Sequence, residues 1–322
     1  MNVSRCALVA SSLVLTGIPA VTTGQQYPAR PIRLVVPVSP GATTDILARS
    51  LAAKLTDSLG QQVVVDNRGG ASGVIGTETV ARANPDGHTL LVITSTHTIN
   101  PSLQRKLPYD PIRDFTPIAY LASSPTILIT HNSTPAANVR ELINLAKAKP
   151  GLTFGSGGTG SSTHLVAELF KSASGTEFTH VPYKGAGPAL TDVLAGQLTF
   201  MFSGIVPAIP HVKGGRIRGL GVTSLKRTVA APDVPTLNES GLPGFEFGLW
   251  YGLLGPAGLG ENIVTRVERE TRTALESSDV RNRLAAEGAD VIAAGPKSLL
   301  AHMQAEIEKY RKLVRLAGIK PE

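Results

Sequence analysis

The stretch that most constrains this chain is residues 152–169, LTFGSGGTGSSTHLVAEL. A short β-prone run at 152–154 enters a loop that carries Gly155, Gly157, Gly158 and Gly160. Glycine tolerates positive φ at little cost, so the backbone can turn tightly here. Ser156 and Thr159 lie between the glycines. Ser161 or Ser162 then stands where a helix N-cap is preferred, ahead of His164, Leu165, Ala167, Glu168 and Leu169. A strand that passes through such a loop into a helix leaves backbone N–H groups at the helix start, where the dipole favours an anion.

The pattern occurs twice. Residues 32–38 (IRLVVPV) form an apolar strand, 39–44 (SPGATT) a loop of small residues, and 45–59 a helix. Leu47, Leu51 and Leu55 fall at i, i+4 and i+8, which puts them on one buried face. Two strand–loop–helix cradles far apart in sequence predict one cleft with two walls.

Between and after these stretches, strands alternate with helices. A strand at 62–66 (QVVVD) leads through 67–73 (NRGGASG) into a helix over 74–83. Asn84-Pro85-Asp86-Gly87 is a turn by composition, and 88–95 is a third strand. This order predicts a parallel sheet covered on both faces. Ligands bind beyond the carboxyl ends of such strands, where loops 39–44, 67–73 and 94–97 fall. Residues 100–115, with Pro101, Pro108 and Pro111, are expected to be irregular. Residues 117–123 and 126–130 are expected as two strands parted by Ser124-Pro125, and the passage to a second domain is placed there. A helix over 138–148, a strand over 178–182, a loop at 183–187 (YKGAG) and a helix opened by Pro188 follow. Strands are then expected at 198–202 and 217–223, and a long return strand at 245–255. A helix at 262–277 precedes a final helix that Pro296 opens and Gly318 stops. On this reading 26–123 and 246–322 form one lobe and 124–245 the other. Two crossings between lobes make a hinge with a cleft.

With 322 residues, 42% of them hydrophobic, the chain has material for two cores. Gly 33 and Pro 23 against 5% aromatics suit a loop-rich α/β protein better than a helical bundle. The N-terminus reads as a secretory signal over 1–25: Arg5 is followed by an apolar run at 6–15, then small residues, with cleavage in 20–26. The chain's one cysteine, Cys6, lies inside that leader, so the exported chain has neither a disulfide nor thiol chemistry. The net charge of +7 invites a nucleic-acid reading. Yet Lys213, Arg216, Arg218, Lys226 and Arg227 make only a modest patch with no interleaved aromatics, and charges along 266–272 alternate in sign, as on a solvated face. No nucleic acid and no membrane-spanning helix are expected.

Catalytic patterns fare poorly. Residues 155–160 match G-x-G-x-x-G between a strand and a helix, and Glu177 lies near the distance of a ribose-binding acid. That acid precedes its strand instead of ending it, and the unit sits behind a secretory signal. No serine has the G-x-S-x-G elbow of a hydrolase, and no histidines show metal-ligand spacing. His164 is read equally as a helix-start residue packing on the loop or as a ligand contact. Binding remains, and backbone donors among small neutral side chains suit a carboxylate.

At these residues the sequence resembles the periplasmic solute-binding receptors of tripartite tricarboxylate transporters, the Bug family. The resemblance is carried by YPARPIRLVVPVSPGATTDILAR, VVVDNRGGASGVIG, NPDGHTLL, FGSGGTGSSTHLVAELF, VPYKGAGPALTDVLAGQ and GLWYGLLGPAG, in order over nearly the whole exported chain. It implies an α/β, two-lobed Venus-flytrap fold of the periplasmic-binding-protein type, type II-like, with two interlobe crossovers, no catalysis, no cofactor and no metal. It implies a small carboxylate held by Ser39, Gly41, Ala42, Thr43, Thr44 and Asp45 from one lobe and Ser156, Gly158, Thr159, Gly160, Ser161 and His164 from the other. Ser72, Thr94, Ser95, Tyr183, Gly185 and Ser203 complete the expected site. It further implies a monomeric periplasmic protein that delivers its ligand to a membrane permease of one large and one small subunit.

Two departures from the family pattern stand out. Ala42 replaces the second glycine usual after the proline of the first loop. Ser203 stands where an aspartate often faces the pocket, which removes a partner for a ligand amine and favours plain mono- or dicarboxylates, aromatic ones included, over amino acids. An exported enzyme using a dinucleotide or a carboxylate, and a ligand-presenting partner of a membrane sensor kinase, are the alternatives of other classes.

Overall fold

A computed structural model describes residues 27–286 and 288–316. The expected leader at 1–25, its cleavage point and the Gly318 stop lie outside the described residues.

The first part of the chain forms β1 (Ile32–Val36), α1 (Thr43–Leu59), β2 (Val63–Asn67), α2 (Val74–Ala81), β3 (Thr89–Thr94) and α3 (Thr96–Leu103). The strand β4 (Phe115–His131) follows. Beyond it come α4 (Val139–Ala148), β5 (Thr153–Ser156), α5 (Ser162–Ser174), β6 (Thr179–Pro182) and α6 (Ala186–Leu194). Next are β7 (Phe200–Gly204), α7 (Ile205–Lys213) and β8 (Ile217–Val222). The chain then returns through β9 (Gly248–Pro256), α8 (Glu261–Glu276), α9 (Ser278–Ala286), β10 (Asp290–Ala294) and α10 (Pro296–Leu316).

The strands lie in the order β2-β1-β3-β9-β4-β7-β5-β6, with β10 and β8 also paired to β4. β1 runs parallel to β2 and β3, and β5 parallel to β6 and β7. The parallel pairing expected for the first three strands holds, and the sheet as a whole is mixed. β9 inserts antiparallel between β3 and β4, and β4 is antiparallel to β7, β8 and β10. β9 returns from far along the chain and not through a βαβ unit with either neighbour, so its connection does not dictate parallel pairing.

The two expected strands around Ser124-Pro125 are one strand. Residues 115–125 of β4 pair with β9, and 126–131 pair with β7 and β8. Pro125 has no N–H to give a ladder, and it sits where the pairing changes partner, so its lack of a donor is tolerated. β4 therefore belongs to both lobes: the sheet half β2-β1-β3-β9 lies on one side and β7-β5-β6 on the other.

Two further expectations are corrected. Part of the region read as irregular is α3, which carries Pro101 inside it. The proline leaves the His97 carbonyl without its intrahelical donor, but burial of Thr98, Ile99, Asn100 and Leu103 holds the turn together. α6 begins at Ala186, so Pro188 is its third residue and not its first. α1 behaves as its spacing predicts: Leu47, Leu51 and Leu55 are all buried, and Gly60 ends it in the left-handed region at φ 69°. The second lobe centres on Phe154, Phe170, Phe178, Phe200 and Phe202, whose rings pack within 4.7–6.3 Å of one another.

Candidate functional site

The two sheet halves bring helix N-termini face to face around a cavity of about 70 Å³. Thr43 and Thr44 of α1, Ser72 and Gly73 before α2, and Thr96 and His97 of α3 line it from the first lobe. Ser162 and Thr163 of α5, Gly185 and Ala186 of α6, and Ser203 and Gly204 before α7 line it from the second. Each helix end follows a β-strand, so its position is set by the sheet behind it. The first-turn N–H groups of a helix have no acceptor within it, and α1 has no side-chain cap at Ala42.

Among the described residues no Asp or Glu lines the cavity, and Lys184 supplies the one ammonium, from an exposed position. The floor is apolar: Pro37, Val38, Ile93, Leu190, Pro207, Leu249 and Tyr251. The Tyr251 hydroxyl lies 3.2 Å from Ser124 Oγ, and burial pushes its pKa up to about 12, so it stays a neutral phenol. Thr43 Oγ1 is buried with no hydrogen-bond partner among the described residues.

Of the residues expected from sequence, the structure brings Gly41, Ala42, Thr43, Thr44, Ser72, Thr94, Ser161, Gly185 and Ser203 to the cavity wall. Ser39, Asp45, Ser95, Ser156, Gly158, Thr159, Gly160, His164 and Tyr183 do not line it. The reasons are visible in their partners. Asp45 is turned into its own loop, where it accepts from the Gly41 N–H at 3.0 Å and from Asn67 Nδ2 at 2.9 Å, and pairs with Arg49 at 3.0 Å. Burial alone would raise the Asp45 pKa, but these bonds outweigh it and hold the carboxyl below its usual range.

His164 packs on the glycine loop. Its Nδ1 accepts from the Gly160 N–H at 3.2 Å, and its ring stacks on His180 at 4.1 Å. His180 Nε2 in turn lies 2.6 Å from Ser156 Oγ. Burial lowers the pKa of both histidines to about 4, so both are neutral near pH 7. Tyr183 bonds Asp192 at 2.5 Å. Glu177, the acid weighed for a ribose, is exposed and lies 3.5 Å from Lys171 Nζ.

Several lining residues were outside the expected set. Tyr251 and Leu249 come from β9, whose register sets Thr94 opposite Tyr251. The return strand was legible, but its place beside β3 was not. Thr77 reaches the wall from α2, and Asn100 from α3, the segment whose prolines read as irregular. His97, at the end of the 94–97 loop expected beside the ligand, lines the same wall and donates Nε2–H to the Pro111 carbonyl at 2.8 Å, since that carbonyl can only accept. Its ring is stacked parallel to Tyr109, 5.9 Å between centroids, and burial lowers its pKa to about 4.

Fold and cleft together define a two-lobed α/β binding protein of the periplasmic-binding-protein type. Residues 47–319 match the profile of the tripartite tricarboxylate transporter family receptors, and the chain belongs to that family. It is 36% identical over 324 residues to protein BugT of Bordetella pertussis, covering 99% of each chain. Among solved structures, the periplasmic binding protein BugD superposes with a TM-score of 0.90 at 34% identity, covering 92% of this chain and 100% of that one. Rpa4515 of R. palustris, solved with adipate, gives 0.89 at 37% identity over 92% of this chain and 100% of its own. MatC of Rhodopseudomonas palustris, solved with malate, gives 0.86 at 35% identity over 89% and 100%.

Proposed function

We propose that this chain is an extracytoplasmic receptor that captures a small carboxylate between its lobes and delivers it to a tripartite tricarboxylate-type membrane permease of one large and one small subunit. It acts in the periplasm as a monomer, after loss of residues 1–25, and performs no chemistry on its ligand. Residues 26–123 and 246–322 form one lobe and 124–245 the other.

The observation that carries this reading is the convergence of the α1, α2, α3, α5, α6 and α7 N-termini on one cavity that, among the described residues, no carboxylate side chain lines. A single helix end contributes about 0.3–2 kcal/mol toward an anion, and micromolar affinity needs about 8 kcal/mol. One cradle falls short. Helix ends from both lobes, aided by charge-assisted hydrogen bonds and exclusion of water, are sufficient. Adipate in Rpa4515 and malate in MatC support a ligand of this class. Ser203 in place of an acid favours mono- and dicarboxylates without an amine.

The test is a thermal-shift screen of carboxylates on the chain without residues 1–25, followed by calorimetry. A folded-state ligand raises the melting temperature. Malate, adipate and aromatic acids are the first probes. Tight binding of aspartate or glutamate with none of the plain carboxylates would refute the ligand class, and no shift with any carboxylate would refute the reading.

A further inference from the structure

At the rim of the cavity, the two lobes meet along a seam made by the loop at 39–41 and the loop at 184–187, of which Gly41, Lys184, Gly185 and Ala186 also line the cavity wall. Ser39 Oγ donates to the Lys184 carbonyl across it. The glycines of the second loop allow the approach. A Cβ at Gly187 would lie 2.6 Å from the Pro40 carbonyl oxygen, and a Cβ at Gly185 would lie 2.5 Å from Ser39 Oγ. On the first lobe, a Cβ at Gly69 would lie 3.2 Å from both the Lys184 carbonyl oxygen and the Ser39 N. At Gly187 and Gly69 the nearest atoms across the seam are backbone, which cannot yield as a side chain can, whereas at Gly185 they belong to the Ser39 side chain. Ser39, Pro40 and Gly187 do not line the cavity.

We propose that Ser39 and Gly187 are positioning residues that set how far the cleft shuts, and so how long ligand is retained, without touching ligand. The inference rests on the binding function above. Closure is an equilibrium, and the apparent affinity scales with the fraction of protein in the competent state. The Ser39–Lys184 bond favours the closed arrangement. A methyl group at 187 acts as a wedge that the closed arrangement alone must accommodate, because its nearest neighbour is on the opposite lobe. A ligand contact acts on one ligand's chemistry, whereas a closure residue acts on all ligands by one factor.

The experiment compares wild type with Gly187→Ala and Ser39→Ala. Gly187→Ala is expected to weaken every carboxylate that wild type binds by the same factor, about tenfold, through faster dissociation. Ser39→Ala acts in the same direction with a smaller factor, and Ser39→Thr, which keeps the hydroxyl, restores retention. Spin labels at Val64→Cys and Lys147→Cys, one exposed position on each lobe, report the separation of the lobes without ligand. Gly187→Ala is expected to shift that distance distribution outward. Unchanged affinity and dissociation in both variants, a change confined to one carboxylate, or an unchanged label distance would overturn the proposal. If wild type binds no carboxylate, the function reading fails separately, and the label distance alone decides the seam. Should Gly187→Ala lower the ligand-free melting temperature, Ser39→Ala, which removes a half-buried hydroxyl and adds no atom, carries the test.

Discussion

The Gly157 N–H donates to Thr163 Oγ1 at 2.8 Å, across the turn that joins β5 to α5. Around it, the Gly158 N–H donates to Ser156 Oγ at 3.1 Å and the Ser161 N–H to the Gly158 carbonyl at 3.0 Å. The Gly160 N–H is taken by His164. The amides of the glycine loop are thus used within the loop. It acts as a rigid frame that fixes the start of α5, and its own N–H groups are not the donors that a bare glycine pattern suggests.

Thr163→Val tests that frame. Valine keeps the shape of threonine but removes the acceptor for Gly157. A donor left unpaired in a part-buried turn costs about 1 kcal/mol. Urea unfolding is expected to show a lower midpoint with an unchanged m-value. Carboxylate affinity falls with it, because Thr163 also lines the cavity. An unchanged midpoint would show that the frame does not depend on this bond.

Asp45 gives the second prediction. Its depressed pKa means the folded protein binds the proton less readily than the unfolded chain. The stabilisation is therefore present above the unfolded value near 3.8 and is lost as pH falls through the lower folded value. Asp45→Asn removes the charge that holds Gly41, Asn67 and Arg49. It is expected to cost about 1–3 kcal/mol at pH 7 and to flatten the acid limb of the stability curve below pH 4. Denaturant midpoints between pH 2 and 7 measure both effects.

Much of the cavity wall was legible in short sequence signals, and what was missed has a common cause. The cradle at 39–44 and the helix start at 161–163 were legible because small residues, glycine and a helix periodicity adjoin each other. Tyr251 was not, because its place depends on β9 lying between β3 and β4, a pairing between segments far apart in the chain. α3 was hidden by Pro101, which local rules count against a helix and which burial of its neighbours overrides. Asp45 and His164 were expected in the site from the family resemblance, and neither lines the cavity. Their side chains instead bond the loops that they follow.

His97 yields a prediction in the opposite sense to the usual histidine partner. Burial lowers its folded pKa from 6.5 to about 4. As pH falls through 6.5 the unfolded chain takes up a proton and the folded protein does not, so stability drops steadily until about pH 4, where both are protonated. The shift corresponds to about 3 kcal/mol. His164, with the same direction and cause, adds to the slope. His97→Phe retains the stacking on Tyr109 and is expected to make the melting temperature less dependent on pH across this window. An equally steep dependence in that variant would rule His97 out as a source.

Ser203 tests the electrostatic basis of selection. It is buried on the cavity wall, and its hydroxyl donates to the Gly204 carbonyl at 3.0 Å. Ser203→Asp puts a carboxylate beside the α7 N-terminus, where the helix dipole offsets part of its burial cost, so the fold is expected to persist. The new charge faces the same cavity as the ligand. Two like charges about 5 Å apart at an effective dielectric constant of about 20 repel by about 3 kcal/mol, roughly a hundredfold in affinity. Plain dicarboxylates such as malate should weaken by about that factor. An α-amino acid such as aspartate, whose ammonium can pair with the new acid, should weaken less or bind more tightly. Calorimetry on wild type and variant with malate and aspartate reads the ratio directly, and equal weakening of both ligands would show that the charge at 203 does not discriminate between them.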